Sequence, residues 1–340
     1  MLEPNTLKKI DKSLMYQIYD SWPQISKKHY FSNLKILEFS DIDHIIFVGM
    51  GGSGTLGDIF ASILSRTNIH VTVVKGYLLP KTIDKNSLIV FISVSGNTIE
   101  TLSALKDAKN KGYNTISFSA GGIMETFCKK NFLEYRKIKQ IQSPRASFVA
   151  YLYSMLKVLE KILPIKKNEI ETSIRKLEII NKKISSKNLT DNNPALKLAN
   201  EITGIPLIYY PHGLEAAAIR FKNSLQENAK LHAIVEDIVE SSHNGIVAWE
   251  KKSSISPILL QGYDDYIKTK ERWVIVKKYF QENKIEYQEI YSVRGNILSK
   301  LINLIYFLDY TSIYKAVLLD TDPSPVNSIK YIKSRLNCTK

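Results

Sequence analysis

The apolar run Ile45 to Val48 ends in Gly49-Met50-Gly51-Gly52-Ser53-Gly54-Thr55-Leu56-Gly57. Glycine lets a backbone turn sharply and lets a ligand come close to the main chain. A helix opening at such a turn points unpaired N–H groups outward, which suits an anion. A second apolar run, Leu88 to Ile92, ends in Ser93-Val94-Ser95-Gly96-Asn97-Thr98-Ile99-Glu100-Thr101. Its hydroxyls could hold a phosphate dianion that must bind and then leave. A single hydroxyl would need no more than a helix-capping role. Several of them, at the strand edge beside a glycine turn, point to a ligand. Gly49, Gly51 and Gly54 also spell a dinucleotide-binding pattern. The acid that such a site places about 20 residues later on the ribose is missing, and the next apolar run ends in Val74-Lys75-Gly76. No Gly-Lys-Ser/Thr closes the loop, so a nucleotide P-loop does not fit.

Both stretches need a sheet to bring them together. Leu7 to Tyr19 reads as an opening helix. Short apolar runs at Ile45–Val48, Val71–Val74, Leu88–Ile92 and Thr115–Phe118 read as buried parallel strands. Helical segments separate them, including Ile99 to Lys109, and an apolar helix follows over Ala146 to Leu159. Ile170, Ile174, Leu177, Ile180 and Ile184 recur at helical spacing, and the polar stretch Ser185 to Asn193 reads as a loop before Pro194. A second alternation follows, with strands expected at Ile205–Tyr209, Gly245–Trp249, Pro257–Leu260 and Tyr287–Tyr291. Its helices are expected over His212–Lys230, Tyr266–Glu282 and Asn296–Tyr314. The chain is therefore predicted to be α/β, with two doubly wound domains, each a mainly parallel sheet flanked by helices. The first occupies 1–155 with its leading helix, a helical connection 156–195, and the second 196–340.

The chain has 340 residues, 47 Lys and Arg against 33 Asp and Glu, and a formal charge of +14. That balance could suit nucleic acid, but the lysines are scattered and no nucleic-acid-binding motif accompanies them. The positive field would still draw small anions. No membrane span is expected, since the longest apolar run, Leu301 to Leu308, is interrupted by Asn303. Met1-Leu2-Glu3-Pro4-Asn5 lacks the apolar core of a secretion signal, so the expected location is the cytoplasm. Cys128 and Cys338 read as reduced thiols there, and the glycosylation patterns at Asn188 and Asn337 would go unused.

The glycine turn and the Ser93–Thr101 segment together resemble the phosphate-site pair of the SIS (sugar isomerase) fold. Further matches are Ser143-Pro144-Arg145-Ala146, Glu227-Asn228-Ala229-Lys230, His243-Asn244, and Asp322-Pro323-Ser324-Pro325-Val326 followed by Ile329 and Lys333. In this order they resemble the bifunctional phosphoglucose/phosphomannose isomerase family over Gly49 to Lys333. The family usually has Asn where this chain has Gln226, and Glu where it has Gly245. Neither change removes a proton-transfer group.

The resemblance implies an aldose–ketose isomerase acting on glucose 6-phosphate, mannose 6-phosphate and fructose 6-phosphate through a cis-enediol(ate). Gly52, Ser53, Ser93, Ser95 and Thr98 would hold the phosphate. Glu227 would be the base that moves the proton between C2 and C1; on spacing alone it reads more readily as a surface carboxylate paired with Lys230. His243 would open the sugar ring, because imidazole exchanges protons near neutral pH. The family draws this histidine from a partner subunit, which implies a homodimer with shared sites. Arg145 would steady the enediolate charge. Lys333 would contact the sugar or assist ring opening, with Lys330 as its rival. No metal and no cofactor are expected, since the proton transfer needs neither. The alternatives are an isomerase of another sugar phosphate, a non-catalytic sugar-phosphate sensor (for which no DNA-binding segment is found), and a nicotinamide dehydrogenase.

Overall fold

The computed structural model describes residues 2–336. Three short helices open it: α1 (Pro4–Ile10), α2 (Met15–Asp20) and α3 (Trp22–Tyr30). The single helix expected over Leu7 to Tyr19 is broken at Asp11 to Leu14. Leu14 takes a left-handed φ of 53°, and the Asp11 carboxylate accepts the Tyr16 N–H at 2.9 Å. An aspartate side chain that captures a nearby backbone donor competes with the helix ladder.

The first sheet follows: β1 (His44–Val48), α4 (Gly52–Leu64), β2 (His70–Val74), β3 (Ser87–Ile92), α5 (Ile99–Asn110), β4 (Asn114–Ser119), α6 (Gly122–Lys130) and β5 (Glu134–Lys137). Its strands are all parallel in the order β2-β1-β3-β4-β5. β1 and β3 are buried along their whole length, as their continuous apolar runs require. The edge strand β5 was not legible in the sequence, because Glu-Tyr-Arg-Lys has no apolar pattern. The strand order reverses between β1 and β3, so α4 and α5 leave on opposite faces and a crevice opens at the strands' carboxyl ends.

Three helices connect the sheets: α7 (Phe148–Val158), α8 (Lys167–Ile184) and α9 (Pro194–Glu201). α8 buries Ile170, Ile174, Leu177 and Ile184, the predicted stripe, with Ile180 partly buried against the same core. Asn193 caps α9 by accepting the N–H groups of Ala195 and Leu196.

The second sheet is built from β6 (Ile205–Tyr210), α10 (Glu215–Ser224), a π-helical turn (Leu225–Ala229), β7 (Ile234–Asp237), α11 (Ile238–Ser241), β8 (Ile255–Gln261), α12 (Ile267–Glu282) and β9 (Gln288–Tyr291). Its parallel order, β7-β6-β8-β9, repeats the winding of the first. Gly245–Trp249, expected as a strand, lies instead within a short 3-10 helix, Gly245–Glu250. Trp249 donates to the Tyr209 hydroxyl at 2.8 Å and meets Phe280 edge-on, so this apolar run lids the core from outside the ladder. The edge position belongs to β7, whose two apolar and two acidic residues make a run too short to read.

α13 (Ile297–Leu318) is buried on nearly all sides and packs against α8, α9, α10 and α4. Tyr306, Tyr310 and Tyr314 form a ladder along it, and Trp22 stacks between Tyr306 and Tyr19. α14 (Asn327–Leu336) ends the described chain and buries none of its residues. Among the described residues, no helix is long and apolar enough to cross a membrane. Cys128 is a buried free thiol, and Cys338 and Asn337 lie outside the described residues.

Candidate active site

The crevice between β1 and β3 is flanked by the glycine turn after β1 and the hydroxyl segment after β3. Val48 and Phe91 are partners in the ladder, so the turns that follow them are neighbours. After β1, Gly51 takes a φ of 54° and α4 begins at Gly52, with Ser53 half-exposed behind it. After β3, the Ser93 hydroxyl donates to the Thr98 hydroxyl at 2.9 Å, and the Ser95 hydroxyl accepts the Asn97 N–H. Thr98 immediately precedes α5 and makes no side-chain capping bond, so capping does not account for it. The loop is tied to α6 through Asn97, which accepts the Ile123 N–H at 2.9 Å. Gly96 has a φ of 68°, and a Cβ there would lie 1.8 Å from the Gly121 carbonyl oxygen. That position excludes any side chain. Ser95 is exposed and Thr98 half-exposed at the mouth of the crevice, while Ser93 is buried beneath them.

Glu227 lies in the π-helical turn that ends α10. One extra residue in this turn keeps Leu225 and Ala229 buried and leaves Glu227 at the surface of the core. Lys230 ends the turn with a left-handed φ of 57°. Arg145, which is buried just before α7, donates through Nη1 to Glu227 Oε2 at 2.9 Å. Its Nη2 donates to the carbonyls of Pro323 (2.6 Å) and Ser324 (2.9 Å). The Lys230 ammonium donates to the Pro325 carbonyl at 2.8 Å. Burial, and then the neighbouring Arg145, hold that ammonium below its ordinary range. Two cations thus clasp the strap at Pro323–Pro325 over the turn that carries Glu227.

A cavity of about 670 Å³ lies beneath this strap, lined by Gly51, Gln226, Glu227, Lys230, Pro325 and Ile329 among others. Gly51 belongs to the glycine turn, so one space is bordered by that turn and by the carboxylate. The other predicted residues lie outside it. His243 is exposed in the turn after α11, where Asn244 donates to Glu240. Lys333 is exposed on α14, one turn beyond Ile329, and Lys330 is exposed beside it. Among the described residues, no group of three or more His, Cys, Asp or Glu side chains is disposed to hold a metal ion.

Sequence reasoning missed Arg220 and Asp309. Asp309 is fully buried in α13 and accepts from Arg220 Nη2 (2.8 Å), Arg220 Nε (3.2 Å), Ser224 (2.6 Å) and Tyr19 (3.0 Å). Arg220 Nη2 also donates to the Arg145 carbonyl at 3.1 Å, and its guanidinium lies 4.4 Å above the Phe148 ring. The available signal was a lone Asp in an apolar helix, a residue that is rarely buried without a partner.

Residues 38–155 match the SIS domain, and residues 191–336 match the family described as bacterial phospho-glucose isomerase C-terminal SIS domain. Over 332 residues the chain is 31% identical to a bifunctional phosphoglucose/phosphomannose isomerase of Caldicellulosiruptor bescii, covering 94% of this chain and 97% of that protein. The chain belongs to the bifunctional phosphoglucose/phosphomannose isomerase family. A protein of the same name from Aquifex aeolicus is 29% identical over 303 residues, 86% of this chain and 90% of its own. Among solved structures, the C-terminal domain of glucosamine-fructose-6-phosphate aminotransferase from Francisella tularensis aligns with a TM-score of 0.67 at 15% identity, over 92% of this chain and 98% of that one. That likeness speaks for the fold. The two-sheet SIS architecture expected from the sequence is the one observed. In this bifunctional phosphoglucose/phosphomannose isomerase family member, the segments that carried the resemblance converge in part. Gly51 of the glycine turn, Glu227 and Pro325–Val326 of the strap border one cavity, Arg145 bonds to Glu227 and to the strap, the hydroxyl loop adjoins the glycine turn through the sheet, and His243 stands apart.

Proposed function

We propose that the chain interconverts glucose 6-phosphate and mannose 6-phosphate with fructose 6-phosphate through a cis-enediol(ate), with Glu227 as the base. One observation carries this reading: the cavity that Glu227 lines is also lined by Gly51 of the glycine turn. A phosphate held at that turn and at the Ser95 and Thr98 hydroxyls would place the sugar chain towards the carboxylate. Ser53 and the Gly52 N–H complete the cradle at the α4 terminus, where the helix dipole favours an anion. Ser93 positions Thr98 through its hydroxyl bond.

Glu227 takes the C2 proton and returns it to C1, and the enediolate charge that develops between these steps falls to Arg145. The ion pair keeps Glu227 and Arg145 in contact before the substrate arrives, so little reorganisation accompanies the transfer. Ring opening needs a group that exchanges a proton with the ring oxygen. His243 suits this chemistry, and its exposure outside its own chain's cavity supports donation across a homodimer. Lys333, one helical turn past the cavity-lining Ile329, would reach the sugar from α14. The domain limits proposed are 1–155, 156–195 and 196–340, and the proposed location is the cytoplasm.

The test is incubation of the purified protein with fructose 6-phosphate, without metal or nucleotide, and identification of products by NMR. Appearance of glucose 6-phosphate and mannose 6-phosphate supports the reading. Glucose 6-phosphate alone keeps the mechanism and narrows the substrate. No product, and no solvent deuterium entering C1, overturns it in favour of another sugar phosphate or a binding role.

A further inference from the structure

The phosphate-type crevice has hydroxyls and N–H groups but no lysine or arginine in either of its turns: Gly49–Gly54 and Ser93–Thr98 are neutral throughout. A dianion held there by neutral donors alone leaves its charge uncompensated. Arg145 is committed to Glu227 and to the strap carbonyls. Lys75, which follows β2, is paired with Asp58 at 2.7 Å. Lys230 is bonded to the Glu227 and Pro325 carbonyls, and a further cation beside the glycine turn is Arg220. Its Nε and Nη2 are taken up by Asp309, Tyr19 and the Arg145 carbonyl. Nη1 is the unclaimed edge: among the described residues it has no hydrogen-bond partner, and it lies 3.1 Å from where a Gly52 Cβ would stand. The Arg220–Asp309 pair is therefore a buried dipole with its positive end against the first residue of α4. Glycine at position 52 is what lets the guanidinium come so close.

We propose that Arg220 is a positioning and charge-supplying residue of the phosphate crevice, an inference that rests on the reading of that crevice as the sugar-phosphate site. It does two things with one guanidinium. Nη2 fixes the Arg145 backbone, and Nη1 lies uncommitted beside the first residue of α4, so the charge stands between the phosphate turn and the proton-transfer pair. Its charge offsets that of the dianion from a side chain only 3% exposed, where solvent screens it little. Ser224 and Tyr19 hold Asp309 from the other side, which keeps the fork of Arg220 in one orientation.

The test compares the full chain with Arg220→Lys and with the double variant Arg220→Met/Asp309→Leu, which removes the buried pair together and leaves no lone charge. Inorganic phosphate is titrated by calorimetry, and KM and kcat are measured with fructose 6-phosphate. The dissociation constant for phosphate and the KM should rise together by roughly tenfold or more in the double variant. Lysine should rescue part of this loss, because it keeps the charge and loses the fork. A purely structural role predicts a lower melting temperature with phosphate affinity and KM unchanged, and that result in the folded variants overturns the proposal. If the double variant does not fold, Arg220→Lys decides alone, since unchanged phosphate affinity in it also overturns the proposal. Should the chain bind phosphate yet leave fructose 6-phosphate untouched, the isomerase reading fails while the calorimetry still reads Arg220.

Discussion

Nη1 of Arg145 lies 2.9 Å from Oε2 of Glu227, while Nη2 of the same guanidinium is held by the carbonyls of Pro323 and Ser324. One planar fork therefore ties the carboxylate to the strap that covers it. A lysine cannot make both contacts, because its single ammonium lacks the spread of the fork. Arg145→Lys should lower kcat by roughly a hundredfold, as loss of one preorganised charge donor does elsewhere. Steady-state kinetics check this. A change confined to KM would reassign Arg145 to plain binding.

Glu227→Gln should abolish isomerisation and leave sugar-phosphate binding in place, because the amide keeps the shape and cannot take a proton. His243→Ala should be similarly inactive. If each site takes Glu227 from one chain and His243 from the other, mixing the two inactive proteins restores one complete site per mixed dimer. Activity should therefore return on subunit exchange. A mixture that stays dead after exchange has been verified by mass spectrometry would mean that the two residues do not meet across subunits.

Ser95→Ala combined with Thr98→Ala should raise KM for sugar phosphate by roughly tenfold or more, with little change in melting temperature. Neither hydroxyl is fully buried, so their removal leaves no cavity in the core. Ser93→Ala acts differently. Its buried hydroxyl supports Thr98, so a smaller rise in KM with some loss of stability is expected. Unchanged kinetics in the Ser95/Thr98 variant would remove the hydroxyl loop from the site.

Asp11 supplies a pH-dependent term. Burial, reinforced by the charge of Asp322, holds its carboxyl above the ordinary 3.8. The folded chain thus binds this proton more tightly than the unfolded chain does. Stability is lost as pH rises from the ordinary carboxylate value through the raised one, and the loss persists at neutrality. Asp11→Asn removes that cost and can still accept the Tyr16 N–H. Its melting temperature should exceed that of the parent at about pH 7, and the difference should shrink towards about pH 4. Thermal unfolding across that range reads the effect, and a difference independent of pH would rule out the carboxyl as its source.

What the sequence disclosed follows the range over which each signal is written. β1 and β3 are buried on both faces, so their apolar runs are nearly continuous and their glycine and hydroxyl turns follow at once. β5 and β7 are edge strands with half-polar sequences, and neither carries such a run. Arg145 and Glu227 stand 82 positions apart, and Arg220 and Asp309 stand 89 apart. No local periodicity links such residues. The family resemblance drew out the first pair, because their motifs are short and ordered along the chain. The second pair joins a mixed helix, α10, to α13, which otherwise reads as largely apolar, and only the cost of a lone buried Asp309 hints at it. His243 precedes a run that was expected as a strand and is a 3-10 helix, and it is exposed there.

α13 also governs the order in which this chain can become a protein. Tyr19 bonds to Asp309 across 290 residues, and Trp22 stacks on Tyr306. The opening helices thus leave the ribosome long before the helix that completes their packing exists. Until then, the first sheet has its strands and α4, but Tyr19, Trp22 and the apolar face of α7 lack part of their cover. Closure of that interface is a late, long-range event, of the kind that slows folding and exposes nascent chains to association. A fragment stopped before α13 is, on these contacts, an unfinished core with an aromatic wall open to water.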